Sequence, residues 1–230
     1  MKIAALQTAR SGSKSVPKKN LLQVGGHPLF SHSLMSANEI LEHVYCSTDD
    51  KKIKNLSDKY NFKVIDRPKH LCSDDCSHLE VMRHGILEIE KDIGKIDIII
   101  ILVGNVVGAD SKSLQEAIKM IGDADSVAAV SEYSMFNPYR ANVILDGFME
   151  TVIPQDQIPK EKSTNDKKAF GDIYFCNSNF FVVKRDIVFK DDNNLPYPFL
   201  GKKIKPYVQK VNLELDAEWQ IDFVKSTSRY

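Results

Sequence analysis

Residues Ile96 to Leu102, Ile-Asp-Ile-Ile-Ile-Ile-Leu, form an almost unbroken apolar run. A strand with one wet face alternates apolar and polar residues, so this run needs cover on both faces and predicts a strand in the middle of a sheet. Extended to Val107, it is interrupted by Asp97 and Gly104 and falls short of the roughly 20 residues that span a bilayer. Shorter β-branched runs at Lys2–Leu6, His43–Cys46, Phe62–Ile65 and Ser126–Val130 alternate with amphipathic stretches. The latter predict helices over Pro28 to about Ile40, Asp50–Tyr60, Ser77–Ile93 and Ser111–Ile121. Pro28 suits a first helical turn, where no N–H is needed, and Thr48 or Asp49 can cap the helix that follows. Such βα alternation implies a Rossmann-like three-layer α/β sandwich with a mostly parallel central sheet. The pattern loosens over 132–171, read as an excursion from the sheet. Strands at Asp172–Val183 and Lys205–Leu215 and a helix over Glu218–Lys225 close the chain.

The 230 residues are 43% hydrophobic, enough for a sizeable core in one domain spanning 1–230, with 132–171 as an appendage. Thirty-one basic residues balance 31 acidic ones, so no global field attracts nucleic acid, and an anion site must be local. The apolar run near the N-terminus is five residues, too short for a signal peptide core. Four cysteines do not make a disulfide framework at this length, and a cytoplasmic protein with reduced thiols and no membrane contact is expected.

That local site follows the first strand. Arg10-Ser-Gly-Ser-Lys14-Ser-Val-Pro-Lys18-Lys19-Asn20 gathers four cations, three hydroxyls and Gly12. Ligands of open α/β sheets bind at the carboxyl ends of strands, where backbone N–H groups and cations can hold phosphate oxygens. Neither G-x-x-x-x-G-K-S/T nor G-x-G-x-x-G is present. The alternative is a solvated basic loop.

The run A-x-x-x-A-R-x-G-S-K-x-x-P-x-K-N-L, from Ala5 to Leu21, resembles the opening motif of the CMP-sialic acid synthetase (acylneuraminate cytidylyltransferase) family. Further likenesses follow in order. Gly26-His-Pro28-Leu29 is similar to its G-x-P-L, Ser47-Thr48-Asp49 to its S-T-D, and Arg67-Pro68-x-x-Leu71-x-x-Asp74 to its R-P-x-x-L-x-x-D. Asn177 through Phe181 resembles N-G-x-x-Y near the sugar site, and Leu213-Glu-Leu-Asp216 falls at the family's acidic pair.

The resemblance implies a fold of the nucleotide-diphospho-sugar transferase type and transfer of CMP from CTP to an acidic sugar, with release of pyrophosphate. Lys19 and Arg10 would be catalytic, stabilising phosphate charge. Ala9, Gly12, Ser13, Lys14, Asn20, Ser47, Asp49 and Arg67 would bind the nucleotide, and Asn177 and Phe181 the sugar. Asp216, with Glu214 two residues away on the same strand face, would hold Mg²⁺, which prefers oxygen ligands. The excursion would reach across a homodimer, where Pro138-Tyr139-Arg140 could offer a cation to the acceptor carboxylate or form a surface turn.

The chain departs from the family at Leu102-Val-Gly-Asn-Val-Val-Gly-Ala-Asp110, where L-Q-P-T-S-P-L-R is usual; Asn105 is the candidate replacement for the lost glutamine. Thr8 replaces a proline and Ser178 a glycine. The acceptor is therefore open among nonulosonic acids such as sialic, legionaminic or pseudaminic acid. A 3-deoxy-manno-octulosonate cytidylyltransferase and an inactive nucleotide-binding relative are the alternatives. Other constellations carry less. His70, Cys72, Cys76 and His78 lie too close together for a typical zinc site, and Cys46 and Cys176 read as core residues. Asp49-Asp50 reads better as a helix cap than as a metal site. Tyr174, Phe175, Phe180 and Phe181 read as core plus one pocket wall, without the basic stripe of a single-strand binder.

Overall fold

The computed structural model describes residues 1–12, 15–73, 75–162, 164–166, 168–210 and 214–227. Strand β1 (Ile3–Thr8) leads through the basic loop to a small hairpin of β2 (Gln23–Val24) and β3 (His27–Pro28), then to helix α1 (Ser31–Asn38). Next come β4 (Val44–Thr48), α2 (Lys51–Lys59), β5 (Lys63–Asp66), α3 (His78–Ile93), β6 (Ile98–Val103), α4 (Ser111–Met120) and β7 (Ser126–Glu132). A hairpin of β8 (Asn142–Leu145) and β9 (Phe148–Thr151) precedes β10 (Tyr174–Lys184), α5 (Arg185–Val188), β11 (Ile204–Gln209) and α6 (Ile221–Thr227).

Seven strands form one sheet in the order β11-β7-β10-β6-β1-β4-β5. Strand β10 is antiparallel to β6 and β7, and the other pairings are parallel. The isoleucine run therefore lies mid-sheet, and its alternate residues feed two cores. Ile98, Ile100 and Leu102 pack with Leu34, Ala37, Leu114 and Ala117 of α1 and α4. Ile99 and Ile101 pack on the other face with Met82, Ile86 and Ile89 of α3. Each such side chain taken from water contributes about 1.5–3 kcal/mol, which is why this strand tolerates no polar alternation. Pro206, unable to complete a ladder, sits in β11 at the sheet's edge.

Several boundaries differ from expectation. Pro28 belongs to β3 because Gly25 and Gly26, at φ 55° and 86°, turn the chain back as a two-residue hairpin; α1 begins at Ser31 and stops at Asn38. The cap of α2 is Asp50, whose carboxylate accepts from the amides of Lys52 at 2.7 Å and Ile53 at 3.3 Å. Thr48 Oγ1 in turn accepts from the Asp50 amide at 3.1 Å, and Asp49 is left for another role. Strand β11 ends at Gln209, and Glu214 and Asp216 lie outside any strand. Glu132 still belongs to β7, opposite Tyr174; beyond it β8 and β9 pair with each other as a ribbon separate from the main sheet.

Asp50→Ala removes the acceptor of two helix-end amides and is expected to cost about 1 kcal/mol, read as a lower urea midpoint with an unchanged denaturant slope.

Candidate active site

Parallel pairing brings the carboxyl ends of β1, β4, β5 and β6 to one edge, and a cleft of about 470 Å³ opens there. The first loop is moored to its neighbours. The Ala9 amide donates to Ser47 O at 3.1 Å, and Ser11 donates to Asp49 through its amide at 2.9 Å and its hydroxyl at 2.6 Å. Asn20, buried in a tight turn, donates from Nδ2 to Arg10 O at 3.1 Å, and its own carbonyl accepts from Phe30 N at 3.0 Å. The turn is entered through Lys18 in the left-handed region, φ 57°, a conformation that costs a non-glycine residue roughly 1–2 kcal/mol. Gly104 allows the close approach of β6, since a Cβ there would lie 3.1 Å from Ala9 and 3.2 Å from Asn20 Oδ1. Gly12 and Arg10 line the cleft beside Lys19. Ser13 and Lys14 lie outside the described residues.

Arg67 forms the buried side of the cleft. Its guanidinium donates to Ser47 O at 2.7 Å and Ser47 Oγ at 3.2 Å. Ser47 is fully buried, so it carries Arg67 and does not itself face a ligand. Burial lowers the Arg67 pKa from a high starting point, with Asp49 among the groups that oppose the shift. Burial alone would raise Asp49, but the Ser11 hydroxyl and amide, with Arg67 nearby, hold its carboxyl below the usual range. Thr8, the replacement for a proline, places Oγ1 2.9 Å from His78 Nε2. His78 opens onto the cleft yet is crowded by protein, and this desolvation, with the charge of Arg67, lowers its pKa to about 4. Sequence reasoning missed His78 because attention to a zinc pattern hid its place in the first turn of α3. It also missed Gln7, fully buried, which ties β1 to Phe30 O at 2.7 Å and Val103 O at 3.4 Å.

At the mouth, four expected residues meet. Lys19 Nζ pairs with Asp216 Oδ1 at 2.7 Å. Asn105 Nδ2 reaches the same oxygen at 3.2 Å and Glu214 Oε2 at 3.4 Å, while Asn105 O accepts from Leu215 N at 2.9 Å. Two carboxylates converging on one amide offer the hard oxygen donors that Mg²⁺ takes, with water and substrate phosphates filling the remaining positions. The donor set therefore fits that ion. Among the described residues, no group of three or more His, Cys, Asp or Glu side chains comes together for a metal.

The sugar-site expectations divide. Phe181 is buried in β10 opposite Ile101 and meets the Phe199 ring edge-on at 5.2 Å, away from the residues that border the cleft. Asn177 borders a second pocket, of about 330 Å³. Its Nδ2 donates to Ser131 Oγ at 2.9 Å and Gln209 Oε1 at 3.3 Å, and its Oδ1 accepts from Asn179 N at 3.1 Å. Phe175, two residues earlier, faces this pocket instead, because the register of β10 against β7 shifts between Cys176 and Phe181. Ser178 sits within that irregularity at φ 57°, which accounts for the glycine of the family pattern. Cys46 is core, its thiol pushed up to about 12 by burial, but Cys176 borders the pocket. Cys72 Sγ donates to Pro68 O at 3.3 Å. Arg140 donates to Thr164 O at 2.9 Å and Asp166 O at 2.6 Å, tying its turn to a segment more than 20 residues further along the chain.

A family model described as cytidylyltransferase matches residues 4–229. The chain is 23% identical over 222 residues to post-translational flagellin modification protein B of Campylobacter coli, covering 94% of this chain and 89% of the relative. It is 24% identical over 222 residues to CMP-N,N'-diacetyllegionaminic acid synthase of Campylobacter jejuni, with coverage of 94% and 89%. To pseudaminic acid cytidylyltransferase of the same species it is 25% identical over 201 residues, 85% and 86% of the two chains. The solved structure of CMP:2-keto-3-deoxy-manno-octonic acid synthetase complexed with CTP shares the fold, with a TM-score of 0.68 at 15% identity over 100% of this chain and 99% of that one.

A carboxyl held below its ordinary pKa stabilises the folded state fully above about pH 4 and loses that contribution as pH falls through its folded pKa. Asp49→Asn is therefore expected to lower stability at pH 7, and its gap from wild type to close toward pH 3, in urea unfolding at both pH values. A gap that does not change with pH would show that the Ser11–Asp49 contact stabilises nothing through charge.

Proposed function

The chain belongs to the cytidylyltransferase family, and on that premise we propose that it transfers CMP from CTP to a nonulosonic acid, releasing pyrophosphate. The observation that carries this reading is the junction of Lys19, Asn105, Glu214 and Asp216 at the mouth of a cleft lined by Arg10, Gly12 and Arg67. A triphosphate seated there lies against the first loop. The acceptor's anomeric hydroxyl oxygen bonds to the α-phosphorus, the bond to the β-phosphate oxygen breaks, and the hydroxyl proton is released. Negative charge grows on the leaving pyrophosphate, and cations fixed beforehand stabilise it without reorganising. Arg10 and Lys19 supply that charge; Arg67 and Asp49 hold the loop that positions the nucleotide. Mg²⁺, held by Glu214 and Asp216, would neutralise and align phosphate oxygens. Lys19, held against Asp216 at 2.7 Å, presents its charge to the phosphates, and Asn105 keeps both carboxylates in place.

Residues 1–230 act on this reading as one catalytic domain, and the β8–β9 ribbon as its dimer arm. Ile144, Phe148 and Met149 are 76%, 75% and 71% exposed, an apolar surface that a second copy would cover. We place the reaction in the cytoplasm, where reduced thiols persist. Among the described residues no helix is long and apolar enough to cross a membrane.

The test is pyrophosphate release from CTP, with Mg²⁺ and a panel of nine-carbon acids. Lys19→Ala and Asp216→Asn are each expected to lower kcat by about 10²–10³, the second with a raised Mg²⁺ requirement. Turnover of an eight-carbon 3-deoxy acid alone would favour the octulosonate alternative, and CTP binding without turnover the inactive one. Phe148→Asp is expected to shift sedimentation from dimer to monomer; an unchanged sedimentation coefficient would remove the ribbon from the interface.

A further inference from the structure

We propose that Gln209 is a positioning residue for the acidic junction: acting through Gly108, it holds Asn105 against Glu214 and Asp216. This rests on the proposed function and adds a residue to its machinery. Strand alternation puts Lys205, Tyr207 and Gln209 on one face of β11. That face meets α4, where Lys205 Nζ donates to Met120 O at 3.1 Å and the Tyr207 hydroxyl to Glu116 Oε2 at 2.6 Å. The half-buried Gln209 side chain reaches the start of the same helix and the loop before it. Its Nε2 donates to Gly108 O at 3.3 Å and Ser113 Oγ at 3.4 Å. Its Oε1 accepts from Asn179 Nδ2 at 2.9 Å and Asn177 Nδ2 at 3.3 Å. One amide thus joins β11 and β10 to the loop that follows β6.

That loop is held at both ends, and Asn105 lies between them. Gly104 packs on Ala9 and Asn20. At the far end Gln209 grips Gly108, and Asp110 accepts from the Ser113 amide at 2.9 Å and hydroxyl at 2.6 Å. No proline restrains residues 104–108, so their path is set by these contacts and not by a fixed φ. Asn105 has little tolerance for a shift, because its contacts of 3.2 Å and 3.4 Å to the two acids are already long for hydrogen bonds. Gln209 also stands on the chain that goes on to Glu214 and Asp216, so one side chain ties the two sides of the junction together. The amide is needed whole. A carboxylate at 209 would still accept from Asn177 and Asn179, but it would set a second acceptor against Gly108 O and push the loop away.

Gln209→Glu and Gln209→Leu, each alone and combined with Asn105→Ala, test this by two readouts. The first is the Mg²⁺ concentration that half-saturates pyrophosphate release from CTP and a nonulosonic acid. The second needs neither metal nor turnover: hydrogen exchange at the Leu215 amide, which donates to Asn105 O at 2.9 Å. Each Gln209 variant is expected to raise the Mg²⁺ requirement about 10-fold, with little change in the KM for CTP at saturating Mg²⁺. The Leu215 amide should exchange faster while the amides of β1 and β6 keep their protection. With Asn105→Ala already present, the change at 209 should add little, because it acts through that residue. Gln209→Glu keeps the size and shape of the side chain, so it carries the test if the leucine variant does not fold. An unmoved Mg²⁺ requirement or unmoved Leu215 exchange in Gln209→Glu overturns the proposal, as does an equal loss with and without Asn105. A wild type that releases no pyrophosphate overturns the proposed function instead, and the exchange measurement still decides whether Gln209 holds the loop.

Discussion

Two carboxylates facing one cleft repel each other, and the arrangement at this site depends on what stands between them. Asn105 contributes an amide nitrogen within reach of Glu214 and Asp216, and Lys19 contributes a positive charge to Asp216. Both partners come from loops at the carboxyl ends of central strands, Lys19 after β1 and Asn105 after β6. The sheet's parallel pairing is thus what allows a residue near the N-terminus to meet one almost 200 positions later, with |i−j| of 197. The isoleucine strand sets the distance between those loops through its parallel pairing with β1, from Ile3 opposite Ile98 to Thr8 opposite Val103.

The loop after β6 shows how a different sequence can occupy the same place. Gly108 passes so near Asn179 that a Cβ would lie 2.4 Å from its amide nitrogen. Gln209 joins the two, accepting from Asn179 Nδ2 at 2.9 Å and donating to Gly108 O at 3.3 Å. Prolines would stiffen such a loop through the backbone; here close packing against a buried amide network does so, and it leaves Asn105 aimed at the acids. The glutamine's absence from position 103 has therefore not left the edge of the sheet without a polar group.

Much of this was legible in the sequence, for identifiable reasons. The isoleucine run announced a central strand, and the clustered charge after β1 announced the loop that brings Arg10, Gly12 and Lys19 to the cleft, because both signals are local. Family resemblance alone gave Lys19 and Asp216 their separate roles, and their contact was not foreseen, since no local pattern reports a contact across the sheet. Three readings failed where geometry overrides spacing. Gly25-Gly26 diverted Pro28 into a hairpin, the irregularity around Ser178 turned Phe175 and not Phe181 toward the pocket, and Asp50 took the capping role expected of Thr48 or Asp49. Each turns on a single residue's dihedral angles or a one-residue offset, which hydrophobic periodicity does not resolve.

The central claim is that Lys19 and Asp216 serve one step as a unit. Its most direct test is a double-mutant cycle of Lys19→Ala and Asp216→Asn, with CMP-sugar formation from CTP and a nonulosonic acid measured under saturating Mg²⁺. The account predicts that the double variant loses little more than the worse single variant, because residues that act as a unit are not additive. Losses that multiply, or a wild type that forms no CMP-sugar, would contradict it.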